Sequence, residues 1–262
     1  YKATEIVNFA QGELLMMGAF FAVTYVMILG LPFWLGFILT IISMAFFGYL
    51  LDMLVVRSMI GESQFSVIIL TISLGFILRA VAAGIWGSDI LSLETPYSGA
   101  MAKLGGLVIG QEYLVVIAGT VVLSLALFLF FKFSSLGVAM QAASQNQLAA
   151  YYMGIPVKRV FSLIWAISAM VAAVAGTLTA PISLVSPHMG FIGIKAFAAA
   201  VIGGFGSLPG ALIGGLIIGS SEQLAGTYLP TGFQEITAYV IMFAVLTIRP
   251  KGLFAQIQQK KV

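Results

Sequence analysis

Hydrophobic residues run through this chain in long unbroken blocks separated by short polar links, not in the alternation of a half-buried strand or the stripe of an amphipathic helix. Charged residues are absent from Leu14 to Leu51, from 113 to 131, from 160 to 194 and from 196 to 221. A block of about 18 or more apolar residues can cross a bilayer as a helix. The blocks predict helices near 9–29, 33–51, 65–85, 112–131, 160–180 and 234–248, with a glycine-rich apolar region at 194–221. The link at Gly30, Leu31 and Pro32 is short enough to make the first two helices an antiparallel pair, and Pro32 suits a helix start. The expected fold is all-α: one polytopic membrane domain over 1–262 with about seven or eight transmembrane helices. The numbering opens at Tyr1 without the basic flank and cleavage site of a signal peptide, and a preceding N-terminal segment is expected.

Charge assigns sides to these helices. Loops rich in Lys and Arg tend to stay in the cytoplasm. Arg57 lies in one link, Lys132, Lys158 and Arg159 flank a second, and Arg249, Lys251, Lys260 and Lys261 mark the C-terminal tail. The alternate links carry Lys103 and Lys195 with most of the acids, Asp89, Glu94, Glu112, Glu222 and Glu235. With the first set inside, the region between the 160–180 and 234–248 helices must begin and end outside. A single span at 194–221 breaks that parity. A broken or re-entrant pair entering from outside and turning within the membrane at 203–210 keeps it, with Gly203, Gly204, Gly206, Ser207 and Pro209 at the turn. Irregular backbone at membrane depth is tolerated only beside protein or a water-filled cavity, so this turn is a candidate for a pathway. The alternative is an ordinary helix with glycine packing faces, since Gly210 and Gly214, and Gly215 and Gly219, have small-residue spacing.

Composition narrows the function. Hydrophobic residues make up 61% of the 262, with only 12 basic and 9 acidic residues, far from the roughly 25% charged content of a soluble domain. No cysteine occurs, which excludes disulfides, iron–sulfur clusters and thiolate metal sites, and the single His188 cannot form a histidine metal cluster. No metal or cofactor is expected. The net charge of +3 is scattered between apolar blocks and forms no nucleic-acid-binding stripe. No G-x-x-x-x-G-K-[ST] loop is present, so the chain does not hydrolyse ATP by that machinery. His188 has no nucleophile or second base near it in sequence and reads as an interfacial packing residue.

Two further stretches stand out. The link 133–159, FSSLGVAMQAASQNQLAAYYMGIPVKR, has Ser134 or Ser135 as a helix N-cap, helix formers through Ala150, and Gly154 and Pro156 as a stop. It should form one or two short cytoplasmic helices; its amides are costly in lipid, and its small residues, such as Ala139, Ala142, Ala143 and Ala149, allow close approach of another protein, which favours a docking element over a plain solvated connector. Near the start, Asn8, Gln11 and Glu13 meet the first apolar block. An acid at the edge of such a block lies either at the interface or inside the membrane, and the inside case marks a functional site by default. Arg79, among Leu74, Phe76, Ile77, Leu78 and Val81, reads as a structural charge that snorkels or pairs with a neighbouring helix.

Four collinear motifs carry a resemblance: NFAQGELLMMGAF at 8–20, LGVAMQAASQNQLAAYYMGI at 136–155, MGFIGIKAFAAAVIGGFGSLPGALIGGLIIG at 189–219 followed by Glu222, and RPKGLF at 249–254. Together they make the chain similar to the permease subunits of branched-chain amino acid ABC importers, the LivH and LivM type, and closer to LivH. The resemblance implies that the 136–155 segment is the coupling region meeting an ATPase subunit, with Leu136, Gly137, Gln141, Ala142, Ala143, Asn146, Ala150 and Gly154 in it. Where the family usually has Arg, this chain has Gln141. The glycine-rich stretch would lie near the translocation route. Implied partners are two ATP-binding subunits, a second permease chain or another copy of this one, and an external solute-binding protein, in a bacterial inner membrane with the C-terminus cytoplasmic. The expected cargo is leucine, isoleucine, valine or a similar aliphatic amino acid, with urea or short amides as the alternative, and the expected route is apolar, helped by backbone instead of a buried charge pair. An ion-coupled secondary transporter would need ionisable groups at mid-membrane, for which Glu13 and Arg79 are the few available residues, and a channel would not need the docking link.

Overall fold

Without water to satisfy backbone groups, apolar blocks of this length close their hydrogen bonds within helices. The computed structural model describes residues 7–59, 61–104 and 106–254, so Lys260 and Lys261 lie outside the described residues. The elements are α1 (Gln11–Val23), continued by a π-helical turn at Thr24–Ile28, α2 (Phe33–Leu54), α3 (Gln64–Trp86), β1 (Met101–Leu104), β2 (Leu107–Gly110), α4 (Gln111–Phe133), α5 (Ser135–Gln145), α6 (Gln147–Tyr152), α7 (Val157–Ser183), α8 (Ile192–Gly203), α9 (Leu208–Tyr228) and α10 (Phe233–Ile248). Among the described residues five helices are long and apolar enough to cross a membrane: α1 with its π turn, α2, α3, α4 and α7. The small antiparallel hairpin β1–β2 is the exception to the all-α expectation.

The centre of the bundle is α1. Leu14, Met16, Ala19, Phe20 and Ala22 on it are fully buried, and it lies against α7 at backbone distance. An added Cβ on Gly18 would stand 2.6 Å from the Ala173 Cα, and one on Gly176 would fall on the Leu15 carbonyl. Small residues let membrane helices approach this closely, and packing then replaces the hydrophobic drive that lipid removes. By contrast α4 has no fully buried residue along its 23; it meets α7, where Gly119 faces the Leu178 side chain, and its other sides are left to lipid or another chain.

Side-chain contacts set the directions. Ser162 near the start of α7 bonds Asp52 near the end of α2, so these two helices are antiparallel. The strand-like bridge of Leu91 to Val185 and the packing of Phe33 on Tyr97 mark the opposite end of the bundle. The α5–α6 pair therefore protrudes at the end shared with the α2–α3 link.

The glycine-rich region is two helices. A 3₁₀ turn at Pro187–Phe191 leads into α8, and α9 leaves it at a bend of 119°. A Cβ on Gly203 would collide with the Gly210 backbone, and one on Gly214 with the Ala199 carbonyl. Gly204 and Gly206 take φ of 92° and 86° at the corner, which a residue without Cβ adopts freely. Lys195 of α8 pairs with Glu222 of α9 at 3.1 Å, so the two ions share one level of the hairpin. The arms are unequal, α8 with 12 residues and α9 with 21, and the turn is deeper than one within the membrane. From Gly193, which touches Gly12 of α1, α8 continues for ten residues, or about 15 Å, half of a hydrocarbon core. Phe197 beside Phe9 shows that it travels toward the α5–α6 end. The turn thus reaches that end of the bundle and does not stop at mid-depth. There it meets the segment after α10: Leu253 N–H donates to the Ile202 carbonyl at 2.8 Å and Phe254 N–H to that of Gly203 at 3.1 Å. Consequently the RPKGLF motif and the α5–α6 link occupy the same end of the molecule.

Candidate functional site

The first site residues gather where α1 begins, deep in the bundle. Residues 7–10 are not helical. Gln11 opens α1 opposite Ser168, the twelfth residue of the 27-residue α7. Gln11 Nε2 donates to the Ser168 carbonyl at 3.2 Å, and the Ser168 hydroxyl donates to Gln11 Oε1 at 2.7 Å. Asn8 Nδ2 donates to the same Oε1 at 3.4 Å, while Asn8 Oδ1 accepts from the Ala10 N–H. Phe9 N–H donates to the Thr71 hydroxyl of α3. These side chains satisfy the backbone that an unstarted helix would leave bare.

Next to them Glu13 meets Arg79. Arg79 Nη2 donates to Glu13 Oε1 at 2.6 Å, with side-chain exposures of only 20% and 10%. The Phe191 ring lies 4.2 Å from the guanidinium carbon, and His188 stacks on Phe191 at an interplanar angle of 9°. A Cβ on Gly75 would sit 3.1 Å from Glu13 Oε2, and one on Gly190 would sit 3.0 Å from Oε1, so the carboxylate is flanked by glycine on both sides. The expectation of a core without a charge pair is corrected here: α1 and α3 join an acid and a base 66 residues apart in the chain. Arg79 pairs with a neighbouring helix as its sequence setting predicts. His188 packs on an aromatic ring, as also expected.

Gly203, Gly204, Gly206, Ser207 and Pro209 form a second group, separated from the Glu13 cluster by the length of α8. Their observed work is to build the corner. Ser207 caps α9 by accepting from the Gly210 N–H at 3.1 Å, Pro209 sits in its first turn, and Gly204 Cα touches Gly252. Phe9, Phe197 and Phe205 form a column of rings between the groups, with centroid spacings of 5.3 and 5.7 Å.

The docking residues divide by face. Ser134 caps α5, and Asn146 divides the link into two helices by capping α6, accepting from the Ala149 N–H at 2.9 Å. Gly137, Ala143 and Ala150 are buried. Leu136 is half-buried, and Gln141 donates to the Phe131 carbonyl at 2.7 Å, tying α5 back to α4. Ala142, Asn146 and Gly154 are exposed. The sequence reading missed the outward apolar surface beside them: Leu148, Tyr151, Tyr152 and Met153 are 66–82% exposed. It also missed the polar junction behind this link, where Arg57 Nη2 donates to the Ser162 hydroxyl at 2.9 Å and that hydroxyl donates to the wholly buried Asp52 at 2.6 Å. Among the described residues no group of three or more His, Cys, Asp or Glu could hold a metal ion.

The sequence profile described as branched-chain amino acid transport system / permease component matches residues 1–248. The chain belongs to this permease family. It is 31% identical to the Salmonella typhimurium high-affinity branched-chain amino acid transport system permease protein LivH, over 100% of this chain and 90% of that one. The Pseudomonas aeruginosa permease protein BraD is 30% identical with the same coverage. A probable LivH of Methanocaldococcus jannaschii is 31% identical over 97% of this chain and 84% of its own. No solved structure matches the chain. Membership in the permease family, with the five long apolar helices, makes this a multi-pass membrane transport protein.

Proposed function

We propose that the chain is the membrane-spanning subunit of an ATP-driven ABC importer for branched-chain aliphatic amino acids. The observation that carries this is the α5–α6 pair, a short protruding two-helix element at the end shared with the RPKGLF segment, with Leu148, Tyr151, Tyr152 and Met153 turned outward. An apolar, aromatic patch on a non-spanning link has no use in water and suits the groove of another protein. ATP-binding subunits dock there from the cytoplasm, which puts the C-terminus inside and the β1–β2 hairpin outside, facing a solute-binding protein. Basic Arg57, Lys158, Arg159, Arg249 and Lys251 at the docking end agree with that orientation. A second permease chain, related or identical, completes the pore in the bacterial inner membrane. ATP shifts the pair between outward and inward access only through its different affinity for the two states. The buried Asp52–Ser162–Arg57 junction ties α2 to the first turns of α7, so movement of α5–α6 is transmitted to both helices.

Docking is tested by co-purification of the ATP-binding subunits with this chain in detergent. Tyr152→Glu is expected to release them, with thermal stability of the chain unchanged because Tyr152 is 77% exposed. Retention of the subunits by both Tyr152→Glu and Met153→Glu overturns the docking assignment.

A further inference from the structure

The Glu13–Arg79 pair stands where an amino acid on its way through the bundle would have to lose its water. We propose that this pair is a binding site for a zwitterionic α-amino acid, opening so that Glu13 takes the ammonium and Arg79 takes the carboxylate. The inference rests on the importer reading and deepens it by assigning substrate contacts to named residues.

Three observations carry it. First, the pair is deep: Gln11, two residues before Glu13, is bonded to the middle of α7, and Arg79 is the sixteenth residue of the 23-residue α3. Charges at such depth are costly and mark substrate or ion pathways. Second, the helices are interrupted at this level from two sides. α1 begins at Gln11 after non-helical residues, and the 3₁₀ turn Pro187–Phe191 precedes α8. Broken helices near the midplane are where transport folds leave backbone free for a substrate. Third, the pair is not saturated. Arg79 Nε is buried with no acceptor, and only one of the five guanidinium donors is placed on Glu13 among the described hydrogen bonds. Glycines at 75 and 190 bring backbone instead of side chains against the Glu13 carboxylate, where an added Cβ would lie 3.1 Å from Oε2 and 3.0 Å from Oε1, so the carboxylate is held in place.

The electrostatics fit a zwitterion and reject a single charge. Empty, the site is an acid and a base that neutralise one another. With an α-amino acid inserted, it holds two positive and two negative groups, each beside an opposite one, and its net charge remains zero. A ligand carrying only a carboxylate or only an ammonium would leave one protein charge unpaired in a low-dielectric site. Phe191, stacked between Arg79 and His188, holds the guanidinium plane so that two of its donors can face a carboxylate together. Phe9 and Phe197 offer adjacent apolar surface for an aliphatic side chain.

The test uses the full chain in nanodiscs and reads its unfolding temperature with leucine, with 4-methyl-2-oxopentanoate (the carboxylate alone), with 3-methylbutylamine (the ammonium alone) and with urea, at matched concentrations. Leucine is expected to raise the midpoint while the other three leave it unchanged, and Glu13→Gln and Arg79→Gln are expected to lose the leucine shift. Absence of a leucine shift in the parent, an equal shift with urea or either single-charge analogue, or a full leucine shift in a folded Glu13→Gln chain each overturns the site. The parent panel decides even if a variant fails to fold. ATP-driven leucine import by the complex, measured separately, keeps the two readings apart. Import without a leucine-specific shift overturns the clamp alone, whereas a specific shift without ATP-driven import supports the clamp and counts against the importer reading.

Discussion

Replacing Gly176 by alanine should destabilise the protein, against the usual gain from removing glycine in a helix. At an unobstructed interior position Gly→Ala stabilises by about 1 kcal/mol. Gly176 is inside α7, and its new Cβ would fall on the Leu15 carbonyl oxygen and lie 3.1 Å from the Ala19 nitrogen. Both are backbone atoms of α1, so no side-chain rotation relieves the clash and the helices must part. Overpacking of a tight interior costs about 1 to 3 kcal/mol, and a backbone obstacle belongs at the upper end, leaving a net loss of about 2 kcal/mol after the propensity gain. Gly215 is the internal control: it too is inside a helix, α9, but a Cβ there meets nothing within 4 Å. Gly215→Ala should gain up to about 1 kcal/mol. Denaturant unfolding of the isolated chain in one detergent, with both variants side by side, measures the difference. If Gly176→Ala is as stable as the parent, or the two variants shift in the same direction, the close contact of α1 with α7 is not what holds the centre of the bundle.

Asn146→Ala removes the cap of α6 and should cost about 1 kcal/mol locally, seen as faster amide exchange in 147–152 with α7 unaffected. Arg57→Met deprives the Ser162–Asp52 junction of a charged donor and should lower stability by about 1 to 3 kcal/mol, most of it recovered by adding Asp52→Asn. Because the native chain has no cysteine, Tyr228→Cys can be labelled cleanly, and a membrane-impermeant maleimide should reach it from outside only, since Tyr228 is 80% exposed at the end of α9 away from the docking end.

The spans were legible because their signal is length: an unbroken apolar block such as 113–131 has one way to satisfy its backbone in lipid, and α4 occupies it almost to the residue. The docking link was legible through its punctuation, Ser134 at one end and Gly154 with Pro156 at the other, while the position of the break between its two helices, at Asn146, was not, because a helix interior and a cap can both use that residue until packing decides. Parity called for a hairpin in the glycine-rich region, but not for its depth, which depends on Gly12 meeting Gly193 across helices. The β1–β2 hairpin had a local cue in Gly105 and Gly106 between short apolar runs. Asn8, Gln11 and Glu13 were selected as an isolated polar edge. Ser168, the partner of Gln11, and Arg79, the partner of Glu13, lie on other helices, at separations over which a single sequence records no pairing.

The central claim is tested most directly by uptake in proteoliposomes holding this chain with its second permease chain and ATP-binding subunits, supplied with the solute-binding protein and offered labelled leucine, valine and urea. Accumulation of leucine and valine that requires ATP, and that is lost when this chain is omitted, is the predicted result. Leucine uptake that follows a proton or sodium gradient and ignores ATP, or ATP-driven uptake of urea without either amino acid, would contradict it.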